Sequence, residues 1–130
     1  MNRILVDTSV VIDYLRQRDK GGSLFESVFI DANYQVVLAL VVLTELWSGK
    51  SMLEKEEEGF VVRLVEGCEI LIPNIEIAKK AGVILRENDY KKNFPDAEIA
   101  ATAVVENLPL LTLNKKHFEG IKGIEFWELE

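Results

Sequence analysis

Short apolar runs alternate with stretches of helical period along this chain, and that alternation limits the folds it can adopt. Strands are predicted at residues 3–7, 34–39, 69–72 and 110–113, with a last edge strand at 124–129. Between them the spacing predicts helices. The first runs from a cap at Thr8 or Ser9 to about Arg18, and Gly21-Gly22 ends it. Ser23 caps a second. Further helices span about 42–50 and 54–66. Asn74 caps a long one to about Tyr90, and Asp96 caps an Ala-rich one to Asn107. A short helical turn covers 115–118. Strands separated by crossover helices imply an α/β fold with a mainly parallel central sheet and helices on both faces. No repeat or linker interrupts the pattern, so residues 1–130 are expected to form one domain.

The site of such a sheet lies beyond the carboxyl ends of its strands. Three isolated acids fall at positions suited to that rim. Asp7 ends the run Ile4-Leu5-Val6. Glu45 sits among Leu43, Leu46 and Trp47. Asp96 follows Pro95. Each has an ordinary reading as well: Asp7 and Asp96 as helix caps, Glu45 as an exposed or ion-paired position. Taken together they suggest chemistry. Carboxylates brought close repel unless a cation stands between them, and hard divalent cations prefer oxygen donors. Thr112 and Asn114 lie at the end of the fourth strand, and the hydroxyls of Thr8 and Ser9 could orient Asp7 or a metal-bound water.

Composition narrows the alternatives. With 48% hydrophobic and 28% charged residues, the 130-residue chain reads as globular. Cys68 is the only cysteine, so no disulfide can form within the chain. A cytoplasmic location is expected, with Cys68 as core packing. The apolar run at 36–43 is far too short to span a bilayer, and an acid at position 7 does not fit a signal peptide. No membrane association is expected. The net charge of −7 argues against non-specific polyanion binding by the whole surface. It leaves room for a nucleic-acid enzyme with a bound cation and local lysines, and Lys91-Lys92 and Lys115-Lys116 flank the proposed rim. The run Glu54, Glu56, Glu57 and Glu58 reads as a solvated helix start. His117 reads as a surface residue, Asp13 and Glu98 as solvent-facing. No nucleophile–base pair and no Gly-rich phosphate loop is recognisable.

The residues also resemble a known family. The segment Ile4-Leu5-Val6-Asp7-Thr8-Ser9-Val10-Val11-Ile12-Asp13-Tyr14-Leu15 looks like the opening of a PIN domain. Thr44-Glu45-Leu46-Trp47-Ser48-Gly49 resembles its second acidic motif, and Asp96-Ala97-Glu98-Ile99-Ala100-Ala101-Thr102-Ala103 its third. Leu110-Leu111-Thr112-Leu113-Asn114-Lys115-Lys116-His117-Phe118, followed by 120–126, resembles the closing strand–turn–strand. The length is similar to that of the toxin ribonucleases of VapBC-type toxin–antitoxin pairs. The resemblance implies a single PIN-like domain and a Mg²⁺- or Mn²⁺-dependent endoribonuclease. Asp7, Glu45 and Asp96 would be its catalytic and metal-holding acids, with Asn114, Thr8, Ser9 and Thr112 in support. It also implies a single-stranded or loop RNA substrate, a homodimer and a cognate antitoxin that inserts a segment at the site. Trp47, Phe60 and Trp127 are candidates for the dimer surface. Many relatives carry a further acid where Asn114 and His117 stand here, so one tightly held ion is expected, with a two-metal mechanism still open once RNA phosphate joins.

Two other classes compete. A catalytically silent module would keep the fold and a protein or RNA partner but bind no metal. A phosphatase or phospho-acceptor domain would use Asp7, but Ser9 stands where a haloacid-dehalogenase-type phosphatase has its second Asp.

Overall fold

The computed structural model describes residues 2–128. Strand β1 (Asn2–Val6) leads into helix α1 (Thr8–Gln17) and the short helix α2 (Leu24–Phe29). Strand β2 (Tyr34–Ala39) is followed by α3 (Leu40–Trp47), a 3-10 turn at Lys50–Leu53 and α4 (Lys55–Glu66). Strand β3 (Glu69–Leu71) precedes α5 (Ile75–Glu87) and α6 (Phe94–Val105). The short strand β4 (Leu110–Leu111) ends in a second 3-10 turn, Lys115–Phe118.

The four strands form one parallel sheet in the order β3-β2-β1-β4. Consecutive residues Ile4, Leu5 and Val6 are all buried, as are Val36 to Ala39. Successive strand residues point to opposite faces, so both faces of the central strands are covered, as expected for a parallel sheet between helices. The core includes Phe25, Val28, Ile77, Ile99 and Phe118, which the surrounding helices and the last 3-10 turn contribute.

The order of strands positions the site. From β1 the chain moves outward through β2 to β3, then returns to pair β4 on the other side of β1. The carboxyl ends of β1 and β4 therefore flank a topological switch point, where open α/β sheets form their crevice. Register places Val6 opposite Leu111, and the Asp7 amide donates to the Leu111 carbonyl at 2.9 Å. Asp7 and Thr112 follow side by side.

Several boundaries depart from the sequence reading. Neither Thr8 nor Ser9 caps α1: Asp7 holds the cap position with extended backbone, but its side chain makes no capping bond. Asp96 does not cap α6. Asn93 does, its Oδ1 accepting the Asp96 amide at 2.8 Å, which places Asp96 inside the first turn. Helix α3 begins directly at the end of β2, earlier than expected, because Ala39 turns the chain without a loop. Helix α5 stops at Glu87 because Asp89 and Tyr90 adopt positive φ, a conformation that ends a helix. The expected caps Ser23 and Asn74 do accept from Glu26 and Ile77. The edge strand expected at 124–129 is one parallel bridge, Leu110 to Phe126, and Leu129 lies outside the described residues. Gly123, at a φ of 91°, turns the chain just before it.

Candidate active site at the carboxyl rim of the sheet

Asp7 leaves β1 almost fully enclosed, with 5% of its surface exposed. One carboxylate oxygen, Oδ2, accepts from both the Ser9 and Thr112 hydroxyls at 2.7 Å. Those hydroxyls are held in turn. The Leu113 amide donates to Ser9 Oγ at 3.2 Å, and the Asn114 amide donates to Thr112 Oγ1 at 2.9 Å. The loop after β4 thus orients two hydroxyls, Ser9 from α1 and Thr112 from its own start, each of which donates a hydrogen bond to the same oxygen. Charge-assisted bonds of this kind restrain the carboxylate while leaving its second oxygen free to bind something else.

Glu45 projects from the middle of α3 and is half-buried. Its Oε1 accepts from the buried Thr8 hydroxyl at 2.6 Å. Burial pushes the Glu45 carboxyl above its ordinary pKa. The Thr8 hydroxyl pulls it back, and the charges of Asp7 and Asp96 push it up further. Asp96 responds in the same way. Burial raises its pKa, Asp7 adds to the rise, and His117, Asn93 and Lys92 oppose it. Glu45 therefore feels the charges of Asp7 and Asp96, and Asp96 that of Asp7, in partly dehydrated surroundings. That is the convergence expected from the strand-end positions.

His117 was read as a surface residue, and its side chain is indeed 54% exposed. Yet its Nδ1 lies 3.3 Å from Asp96 Oδ2, so it belongs to the site. Asn93 is the other residue the sequence reading missed. Its spacing, three residues before Asp96, is that of a helix cap, and this signal was available in the sequence. No local signal marks His117, because its contact joins the turn after β4 to the start of α6. Lys92 acts on Asp96 through its charge, whereas Lys115 pairs with Glu128 and lies over the Phe126 ring at 5.5 Å. Lys116, Asn114 and His117 line a shallow depression of about 460 Å³ beside Thr112. On the other side of Glu45 an apolar groove of about 330 Å³ is lined by Ile12, Leu15, Leu46 and Met52, with Arg16 also in its wall.

Among the described residues, no three acidic, histidine or cysteine side chains form a ready-made metal cage. The donor set nonetheless fits a hard divalent ion. It offers the oxygens of three carboxylates, two of which, Glu45 and Asp96, have pKa values raised first by burial and then by neighbouring charge, and Mg²⁺ is usually held by one or two carboxylates with waters completing the shell. The remaining expectations diverge. Asp13 is partly buried and accepts from Gln17, and burial raises the pKa of the half-buried Glu98. Cys68 packs on the core, where burial pushes its thiol up to about 12 and its Sγ contacts the Leu64 carbonyl. Trp47, Phe60 and Trp127 all pack partly against the core. The Trp47 indole donates to Glu58 at 2.9 Å, and Trp127 meets Tyr34 edge-on. All three are partly buried and keep part of their surface exposed.

Residues 4–123 match the model of the PIN domain family. The chain is 32% identical to Ribonuclease VapC1 of Methanocaldococcus jannaschii, over 98% of this chain and 88% of that one. It is 32% identical to a Ribonuclease VapC of Rickettsia bellii, over 94% and 92% of the two chains. Among solved structures, it is similar to a chain in the DNA-bound VapBC of Salmonella typhimurium, with a TM-score of 0.81 and 23% identity over 98% of both chains. A toxin–antitoxin complex from Klebsiella pneumoniae contains another similar chain, with a TM-score of 0.74 and 26% identity over 97% and 99%.

Proposed function

Since the chain belongs to the PIN domain family, we propose that it is a divalent-metal-dependent endoribonuclease, the toxin of a toxin–antitoxin pair. The single observation that carries the chemistry is the holding of Asp7 and Glu45 by hydroxyls and of Asp96 beside an imidazole at the switch point of the sheet, with no arginine or lysine ion-paired to any of them among the described residues. The relatives named as VapC ribonucleases support the reaction class, and likeness to chains in VapBC complexes supports an antitoxin partner.

Asp7, Glu45 and Asp96 would hold Mg²⁺ or Mn²⁺. Such an ion, when bound, polarises a phosphoryl oxygen and lowers the pKa of bound water. The chain's own residues supply the frame. Ser9 and Thr112 hold one Asp7 oxygen, and Thr8 holds one Glu45 oxygen, so little reorientation remains when the ion arrives. Asn114 is an exposed neutral donor and acceptor at the edge of this frame. Lys92 and Lys116 lie where they can bind the phosphate backbone of a single-stranded or looped RNA. The chain works as a homodimer in this reading.

The test is cleavage of total RNA with and without Mn²⁺, using Asp7→Asn as control. Cleavage that requires the ion and disappears in the variant is expected. Equal cleavage by the variant would remove the site assignment. If the unaltered chain cleaves nothing and gives no calorimetric heat with Mn²⁺, a non-catalytic binding module becomes the better account.

A further inference from the structure

Each rim carboxylate has one oxygen engaged by the protein. Asp7 Oδ2 is taken by two hydroxyls, and Glu45 Oε1 by one. Asp96 has no hydroxyl on its carboxylate. Its nearest helical neighbours, Ala97, Ile99, Ala100 and Ala101, are buried apolar residues. Asn93, on the same segment, holds its backbone amide and also favours its ionised carboxyl through a side-chain hydrogen bond. The group from another element that meets the Asp96 carboxylate is the imidazole of His117, with Nδ1 3.3 Å from Oδ2.

We propose that His117 is a positioning residue whose imidazole restrains Asp96 and turns its other carboxylate oxygen toward the cation. The inference rests on the reading above that Asp96 holds a divalent ion. The placement of His117 suits the task. It sits in the 3-10 turn after β4, and the fully buried Phe118 anchors that turn in the core. The His117 amide donates to the Asn114 carbonyl at 2.9 Å, which closes the turn. The same turn packs on α6, which carries Asp96. A side chain on so fixed a base restricts its partner without itself occupying the ion's position. Asp96 side-chain exposure is 14% against 54% for His117, so the imidazole is the solvent-facing member of the pair. Partners that orient metal-holding side chains typically contribute about 10–100-fold in metal affinity.

The experiment is calorimetric titration of Mn²⁺ into the metal-free chain, His117→Ala and His117→Asn, with melting of each metal-free protein as a check on folding. His117→Ala is expected to weaken Mn²⁺ binding by roughly tenfold or more. Asn places an N–H donor close to the position of Nδ1, so His117→Asn is expected to stay within about threefold of the unaltered chain. His117 is exposed, so the three melting temperatures should agree. His117→Ala binding within about twofold of the unaltered chain overturns the proposal. So does an Asn variant as weak as the Ala variant, since the loss would then come from the turn and not from the donor. If the unaltered chain binds no Mn²⁺, the ribonuclease reading fails and this inference falls with it. If it binds Mn²⁺ and only the His117 pattern fails, the ribonuclease reading stands.

Discussion

Two regions of this molecule handle buried or half-buried carboxylates in opposite ways. On the flank, each acid has its own counter-charge. Glu57 takes a two-pronged bond from Arg18 at 2.9 and 2.7 Å, and Glu69 takes one from Arg3. Arg18 also lies 4.2 Å above the Phe60 ring, so its guanidinium serves a carboxylate and an aromatic face at once. At the rim, Asp7, Glu45 and Asp96 meet hydroxyls, an imidazole and each other, but no guanidinium. The pKa directions follow. The Arg18 bond lowers the Glu57 carboxyl, whereas burial and neighbouring charge raise Glu45 and Asp96. The flank acids complete the fold by themselves. The rim acids have no such counter-charge among the described residues, and in the proposed function a cation supplies it.

The comparison breaks most visibly in activity. Asp7→Asn or Asp96→Asn is expected to lower Mn²⁺-dependent RNA cleavage by roughly 100-fold or more, because each removes charge from the place where the ion is held. Glu57→Gln should leave cleavage nearly unchanged. A gel assay on one RNA substrate with all three variants decides it, and comparable losses in all three would erase the distinction between the two regions.

Metal response comes next in size. At about 100 times its dissociation constant, Mn²⁺ should stabilise the protein by about 2.7 kcal/mol. For a chain of this length that corresponds to a rise of roughly 10 °C in Tm. A chelator should reverse the rise, and Asp96→Asn should abolish most of it. Thermal melting with and without the ion measures this directly.

Thr112→Val probes the frame around Asp7. The loss of a hydroxyl bonded to the buried carboxylate is expected to reduce Mn²⁺ affinity by about tenfold and stability by about 1 kcal/mol. Loss of stability with unchanged metal affinity would make Thr112 a structural residue only.

The smallest effects are the most discriminating, because they differ in sign. Glu57 has a folded pKa below its unfolded one. Its pairing with Arg18 therefore stabilises the protein at neutral pH, and that contribution is lost as pH falls through the depressed pKa. Asp96 and Glu45 have raised folded values, so their ionised forms destabilise the metal-free protein at neutral pH. That penalty disappears as pH falls through the raised values. Asp96→Asn should accordingly raise the Tm of the metal-free chain slightly. Glu57→Gln should lower it by the equivalent of at most about 1 kcal/mol. Both differences should shrink as the melts are moved from pH 7 toward pH 4.

Much of this arrangement was legible in the sequence, for identifiable reasons. The apolar runs Ile4-Leu5-Val6 and Val36-Val37-Leu38-Ala39 located β1 and β2 nearly to the residue, since both strands are buried on both faces. Asp7, Glu45 and Asp96 stood out because acids beside Val6, Leu46 and Ile99 are costly unless something compensates them. The capping assignments were less secure. Asp7 and Asp96 were both credible helix caps, and the structure releases both, leaving their side chains to the rim. The Lys115-Lys116 pair looked uniform in sequence, but Lys115 is committed to Glu128 and the Phe126 ring.

The sequence by itself determined the order of elements, the parallel sheet and which three acids stand in apolar surroundings without a neighbouring basic counter-charge, because periodicity and the cost of burying charge act locally along the chain. Only the tertiary structure decided that Thr112 reaches Asp7 across 105 residues, that Thr8 reaches Glu45 across 37, and that His117 faces Asp96. Those contacts depend on β4 returning to the far side of β1, on α1 packing against α3, and on the second 3-10 turn packing on α6. No local pattern encodes such a return. It follows from burying both faces of the whole sheet at once.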